Sequence, residues 1–244
     1  MTTRTSILYL KKDTFQFYSP FLATILEFGF VPEIVQDLDV INKELLESLI
    51  KAFVTNNKIA PSNLLIVVAD SASFIKDLVT PKGAAQQPTQ EELQTQARTL
   101  IENVPFENVA SKLFKLPTGI RVYTTNQELY EAIKIAFEKQ NFIVELVVPS
   151  FVFGSQFNTN QQLDAETVTV ILKHQNAMKQ YNLLIPSPSL VEALPEGESE
   201  DIPGQKPAKT NKKRLFLLVG VFVVLIIIMV IVYFVSNPPA ASGK

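Results

Sequence analysis

The acidic residue best placed for chemistry is Asp70, because it directly follows the short apolar run NLLIVVA at residues 63–69. Such a run predicts a strand that is buried on both faces. Ligands of open α/β sheets bind beyond the carboxyl ends of the strands, so a carboxylate here could hold a metal ion or a phosphate group. No second acid or glycine-rich loop directly accompanies Asp70. A turn or helix cap before residues 71–78 is therefore the favoured interpretation.

The other candidates for catalysis lack partners in the sequence. His174 is the single histidine, which excludes any site that needs two imidazoles. Ser155 follows Gly154, but the segment FGSQF lacks the second glycine of a nucleophile elbow. There is no P-loop and no GxGxxG motif, and the absence of cysteine excludes disulfides, thiolate metal sites and cysteine nucleophiles. The sequence therefore predicts no enzyme, and it predicts no catalytic, cofactor-binding or metal-binding residue.

A basic cluster points to a membrane interface, and its members are Lys209, Lys212, Lys213 and Arg214. It precedes residues 215–235, a run of 21 residues without a charge. As an α-helix this run would cover ~31 Å, about the thickness of the hydrocarbon core of a bilayer. A buried core helix is disfavoured because the run has no polar face. The cluster is explained as a topology signal, as a binding site for anionic lipid worth ~1 kcal/mol per charge, or as both.

The charges on the two sides of this predicted transmembrane helix set its orientation. Lys244 is the single basic side chain of residues 236–244, so the positive-inside rule predicts that the N-terminal side is cytoplasmic and this tail lies outside. The prediction is a single-pass protein of the inner (cytoplasmic) membrane. The expected partners are the lipid bilayer and proteins of a membrane assembly. The net charge of −2 and the lack of basic residues interleaved with aromatic ones argue against nucleic acid.

The rest of the chain divides by composition. Residues 1–185 are predicted to be one cytoplasmic α/β domain, because this length can bury a substantial core. Residues 186–214 are rich in proline, first acidic and then basic, and are predicted to be a disordered linker. A flexible coil of ~25 residues has a root-mean-square span of roughly 25 to 30 Å.

Periodicity predicts the elements of the domain. Strands are predicted at residues 6–10, 14–19, 63–69, 111–116, 120–124 and 142–148. Residues 21–28 are either a strand or a short helix that Gly29 breaks, and residues 31–38 are predicted to be extended. Helices are predicted at residues 42–54 with Asn42 as N-cap, after the capping boxes Thr89–Glu92 and Thr125–Glu128, and at residues 164–181. The strand, helix and strand from residue 120 to residue 148 are interpreted as a right-handed βαβ unit.

One segment resembles a known family. Residues 99–151 read TLIENVPFENVASKLFKLPTGIRVYTTNQELYEAIKIAFEKQNFIVELVVPSF. The step Val104-Pro105-Phe106, the helix at 129–139 and the strand entry at 140–144 resemble the actin-like cytoplasmic proteins that assemble type IV pili and type II secretion platforms. The resemblance implies about half of an actin-like, ribonuclease H-like α/β domain, with a mixed sheet and flanking helices, followed by one C-terminal transmembrane helix.

The departures from that family bear on function. Actin-like ATPases carry an Asp-x-Gly phosphate loop in the first hairpin, whereas residues 10–14 here read LKKDT without a glycine. The second half of the actin-like fold has no room before the linker. The resemblance therefore implies lost ATP binding, no cofactor, and a scaffold that recruits partners.

Three functions remain open from the sequence. The favoured one is a non-catalytic, membrane-anchored scaffold or docking protein, in the setting of a type IV pilus or type II secretion platform. The alternatives are a membrane-tethered enzyme with an acidic site near Asp70 and a generic tail-anchored adaptor. A deep pocket with two or more convergent acids would favour the enzyme, and a flat apolar patch would favour docking.

Overall fold

The protein is seen in a computed structural model that describes residues 5–79, 88–154 and 162–185. Five strands form its largest sheet: β1 (Thr5–Leu10), β2 (Thr14–Tyr18), β3 (Leu26–Gly29), β6 (Asn63–Val68) and β10 (Ile143–Pro149). Their order is β10-β6-β1-β2-β3. The pairs β1–β2 and β2–β3 are antiparallel, whereas β1–β6 and β6–β10 are parallel. This confirms the predicted α/β fold with a mixed sheet and flanking helices.

The centre of this sheet is apolar on both faces. All residues of β1 are buried, as are the last five of β6, so these strands read as near-continuous apolar runs. One face carries a cluster of phenylalanine rings with centroid separations between 4.8 and 6.1 Å. The rings are Phe15, Phe17, Phe28, Phe53, Phe137 and Phe142.

Two helices, α1 (Lys43–Asn56) and α3 (Gln127–Glu138), pack against each other. The predicted N-cap of α1 is confirmed, because Asn42 Oδ1 accepts from the backbone N–H of Leu45 at 2.9 Å. The second predicted capping box, at Thr125, is wrong. Thr125 lies in a strand and donates to the carbonyl of Ala72, and Asn126 caps α3 instead. The buried threonine hydroxyl thus already has a partner in a neighbouring segment.

A smaller antiparallel sheet has the order β7-β9-β8, formed by β7 (Ser73–Val79), β8 (Val109–Leu116) and β9 (Gly119–Asn126). Helix α2 (Gln90–Glu102) packs on it, and the predicted capping box of Thr89 and Glu92 at its start is confirmed. The small core of this sheet consists of Ala97, Leu113, Ile120 and Val122. The predicted βαβ unit is wrong, since β9 and β10 lie in different sheets.

Three other local predictions differ from the structure. Residues 31–38 are not extended, because β4 (Val35–Gln36) and β5 (Asp39–Val40) form a tight hairpin. Asp37 and Leu38 make its turn with φ of 49° and 75°, a left-handed conformation that is uncommon for residues other than glycine. Residues 21–28, for which the sequence leaves both a strand and a short helix open, contain a strand that begins only at Leu26, and Gly29 is its last residue and pairs with Thr14 of β2. The long helix predicted at 164–181 is divided into α4 (Ala165–His174) and the 3₁₀ turn Ala177–Tyr181.

Several predictions fall outside the described residues. They are Ser155, the linker at 186–214, the basic cluster from Lys209 to Arg214, the transmembrane helix at 215–235 and the tail at 236–244. Among the residues that are described, no helix has the length and apolar character needed to cross a membrane.

Candidate functional site

The end of the described domain, residues 177–185, lies along the free edge of β10 and is called the strap. The backbone N–H of Leu183 donates to the carbonyl of Val147 at 2.7 Å. Asn182 Oδ1 accepts from the backbone N–H of Val147 and from that of Leu184, each at 3.1 Å. The strap therefore satisfies polar backbone groups that an open sheet edge would leave unpaired.

The burial of its own side chains and a lysine of the smaller sheet hold the strap in place. Met178 is fully buried, and Tyr181 and Leu183 are each 9% exposed. Lys112 of β8 donates through Nζ to the carbonyl of Gln180 at 2.8 Å and to that of Asn182 at 3.3 Å. Burial lowers the pKa of Lys112, since its ammonium group is removed from water. The strap thus connects the edge of the larger sheet with the smaller sheet.

A cleft of about 250 Å³ lies beside the strap. The start of β8 forms one wall, the first turns of α3 form the second, and the end of the strap forms the third. The backbone N–H of Gln127 donates to the carbonyl of Asn108 at 2.8 Å, which fixes the first two walls to each other. The lining residues are Val109, Ala110, Ser111, Gln127, Glu131, Leu183, Leu184 and Ile185.

The chemistry of the cleft depends on one ionisable group. Glu131 is the only charged residue among its lining residues. Gln127 Nε2 donates to Glu131 Oε1 at 2.6 Å and so orients the carboxylate. The volume is smaller than the ~300–1,000 Å³ of sites for drug-sized ligands and cofactors. The cleft can accept one or two side chains of a peptide and offers them aliphatic side chains from β8 and the strap and a polar wall with one negative charge from α3.

Asp70 lies at the carboxyl end of β6, where the sequence predicts it, but outside this cleft. It is the first residue of the 3₁₀ turn Asp70–Ala72, and its Oδ1 accepts from the buried hydroxyl of Ser150 at 2.7 Å. Burial, with a smaller effect from the charge of Asp70, raises the pKa of Tyr9 on the neighbouring strand. Asp70 therefore links the ends of β6 and β10.

The two sheets also meet near this position through Arg121. Its guanidinium donates to both carboxylate oxygens of Asp77, at 2.6 and 2.8 Å, and its Cζ lies 5.0 Å from the ring centroid of Phe151. The hydrogen bonds from Arg121 hold the pKa of Asp77 below its usual value. The Arg121–Asp77 pair joins β7 to β9 within the smaller sheet, and the contact of Arg121 with Phe151 reaches the segment that follows β10.

His174, the remaining described candidate from the sequence, lies neither in the cleft nor beside Asp70. His174 Nδ1 lies 2.9 Å from the carbonyl of Val170, one turn earlier in α4. Within residues 5–79, 88–154 and 162–185, no group of three or more histidine, cysteine, aspartate or glutamate side chains could hold a metal ion. Sequence reasoning missed Gln127 and Glu131, because their spacing is that of any polar pair on a helix. Only the approach of β8 and the strap makes them part of a cleft.

No protein-family model matches the chain, and no curated protein matches it. Solved structures do resemble it. They include a PilM-PilN type IV pilus biogenesis complex, with 13% identity and a TM-score of 0.41 over 63% of this chain. The cytoplasmic domain of EpsL, an inner membrane component of the type II secretion system of Vibrio cholerae, matches with 14% identity and a TM-score of 0.34 over 62% of this chain. A Bacteroides thetaiotaomicron protein with an actin-like ATPase fold and unknown function matches with 13% identity and a TM-score of 0.32 over 61% of this chain.

These matches confirm the distant resemblance that the sequence suggested. The matched region spans 49%, 59% and 52% of the three solved chains, so this chain corresponds to about half of each. With TM-scores below 0.5 and so few identical residues, the likeness is no evidence of a shared activity or partner.

Proposed function

We propose that this chain is a non-catalytic docking protein of the inner membrane, whose cleft beside the strap receives a short segment of a protein partner. Residues 215–235 anchor it as a single transmembrane helix. Residues 1–185 form its cytoplasmic domain, and residues 236–244 lie outside. The setting that we propose is the assembly platform of a type IV pilus or a type II secretion system, which is the setting named for two of the similar structures.

The observation that carries this proposal is the form of the cleft. It is smaller than the usual sites for cofactors, contains one acid, and has aliphatic side chains on two walls and polar ones, Gln127 and Glu131, on the third. A site for acid–base catalysis needs groups that act together on one substrate, and the candidate acid from the sequence, Asp70, is bonded to Ser150 and does not line the cleft. A cleft that accepts one or two side chains suits recognition of a peptide.

The proposal is tested with peptides selected against the full-length chain in lipid nanodiscs. Ile185 lines the cleft and is 60% exposed, so Ile185→Arg blocks the cleft with little effect on folding. Ile143, which is 63% exposed and lies outside the cleft, provides the matched control Ile143→Arg. We expect selected peptides to bind the control as they bind the unchanged chain and to lose about tenfold in affinity for Ile185→Arg. Equal binding to both variants would contradict docking at this cleft.

The non-catalytic part of the proposal has a separate test. Titration of the same nanodisc preparation with ATP is expected to show no binding, because residues 10–14 contain no glycine for a phosphate loop. Micromolar affinity for ATP would overturn it. Loss of that affinity in Asp70→Asn would then favour an enzyme with an acidic site at Asp70.

A further inference from the structure

We propose that the partner segment presents a lysine side chain to Glu131, and that this contact determines which segments the cleft accepts. The inference rests on the proposed docking function. Its starting point is the charge of the cleft, which is set by Glu131 alone among the lining residues. A partner that brings a positive charge to this carboxylate gains a charge-assisted hydrogen bond, and a partner with a negative charge is repelled.

No cation of the described part of the chain forms an ion pair with Glu131. The lysines on the neighbouring elements have other partners. Lys43 forms an ion pair with Glu128 at 2.6 Å, and this pair is the main reason that the pKa of Lys43 is raised, with only a minor effect from the charge of Glu131. Lys134 forms an ion pair with Glu138 at 3.1 Å. Lys112 donates to two carbonyl groups of the strap. The carboxylate of Glu131 is therefore available to a cation from outside.

The position of Gln127 favours an ammonium group over a guanidinium group. The amide of Gln127 donates to Oε1 of Glu131 at 2.6 Å and so takes one of the acceptor positions of that oxygen. A bidentate pair with arginine uses both carboxylate oxygens, whereas the ammonium group of lysine can bond to one oxygen as a compact charge. Gln127 thus leaves Glu131 better suited to lysine.

The walls of the cleft suit the rest of a lysine side chain. Val109, Leu183, Leu184 and Ile185 supply aliphatic surface beside Glu131. A lysine buries its methylene groups along such surface and keeps its charged end at the polar group. The volume of about 250 Å³ leaves room for the lysine and for part of one neighbouring residue.

The test uses peptides selected from a random library against the full-length chain in nanodiscs. Lysine is expected to be enriched at one position of the selected peptides. Replacing that lysine by glutamine is expected to lower affinity for the unchanged chain by about tenfold, with a smaller loss for replacement by arginine. For the variant Glu131→Gln, the lysine and glutamine peptides should bind equally, which is the coupling that a double-mutant cycle detects. Thermal unfolding checks that Glu131→Gln is folded.

Glu166→Gln is the matched control, because Glu166 is exposed in the first turn of α4 and does not line the cleft. This control should keep the full preference for lysine. Peptides that are sensitive to Ile185→Arg but show no preference for lysine would overturn the inference and leave docking intact. An equal preference for arginine would also overturn it. Peptides that are insensitive to Ile185→Arg would overturn the docking function, and the inference with it.

Discussion

The two sheets of this domain differ in the interactions that stabilise each of them. The five-stranded sheet has fully buried strands at its centre and a cluster of packed phenylalanine rings on one face. The three-stranded sheet has a core of four small or aliphatic residues beneath α2. Within it, the Arg121–Asp77 pair and the hydroxyls of Ser73 and Tyr123, which are 2.9 Å apart, join β7 to β9.

This difference determines how each sheet responds to substitution. Burial of apolar area is non-directional and scales with the atoms removed from water, so the larger sheet should suffer most from the loss of volume. The smaller sheet depends on individual hydrogen bonds and on a close backbone approach, so it should respond to changes of shape and charge. Four substitutions test this comparison, in order of decreasing expected effect.

The largest effect is expected for Phe137→Ala. The ring of Phe137 is fully buried and stacks on Phe17 with centroids 5.6 Å apart. Its removal leaves a cavity among aromatic side chains and should lower the free energy of unfolding by ~3–5 kcal/mol. Chemical denaturation measures this loss. Phe74 of the smaller sheet is 47% exposed, so Phe74→Ala is the matched control, and an equal loss there would contradict the comparison.

Gly119→Ala tests the backbone approach in the smaller sheet. A Cβ atom at this position would lie 2.0 Å from the carbonyl oxygen of Leu78, so the end of the β7–β9 ladder must shift. We expect a loss of ~1–3 kcal/mol, measured by thermal unfolding. Gly29 of the larger sheet has no atom within 4 Å of its would-be Cβ, so Gly29→Ala should be close to neutral. A larger loss of stability for Gly29→Ala than for Gly119→Ala would show that the close backbone approach at Gly119 does not limit the stability of the smaller sheet.

Asn182→Ala tests the strap, which connects the two sheets. The substitution removes the acceptor of the Val147 N–H, and leaving that buried donor unpaired should cost ~1–3 kcal/mol. Faster hydrogen exchange at the amides of Val147 and Leu183 is the direct measurement. Asn57→Ala is the control, because the Asn57 side chain bonds to an exposed carbonyl at the end of α1. Unchanged exchange at Val147 would mean that Asn182 does not hold the strap.

The smallest effect is expected for Asp77→Asn. The pKa of Asp77 is lowered in the folded state by its hydrogen bonds with Arg121, so its contribution is present above the unfolded pKa and is lost as the pH falls through the folded pKa. The side chain of Asp77 is 38% exposed, and water therefore limits the contribution to ~0.2–1 kcal/mol. Denaturation at neutral and at acidic pH should show that the variant is less stable only near neutrality. A constant difference at both pH values would exclude this ionisation as its cause.

Local sequence signals predicted the elements whose residues determine their own conformation. The N-cap at Asn42 and the capping box at Thr89 use contacts within four residues, so both are readable without the fold. The apolar run before Asp70 likewise predicts a buried strand, whichever strands become its neighbours in the sheet. The capping box at Thr125 failed because Ala72, which is distant in sequence, offers that hydroxyl another acceptor. The hairpin at Asp37 and Leu38 was missed because its positive φ values are supported by Asn126, which donates to the carbonyl of Leu38 at 3.1 Å.

The sequence by itself determined the buried strands β1, β6 and β10 and the helix starts at Asn42 and Thr89, and it predicts an anchor at 215–235 from a run without charge. These properties depend on neighbours along the chain, so composition and spacing suffice. The tertiary structure decided that β9 and β10 belong to different sheets and that Asp70 bonds to Ser150. It also decided that Glu131 lies in a cleft, because Val109, Glu131 and Ile185 come together only when three distant segments pack. Such a site depends on long-range contacts, which local periodicity does not specify.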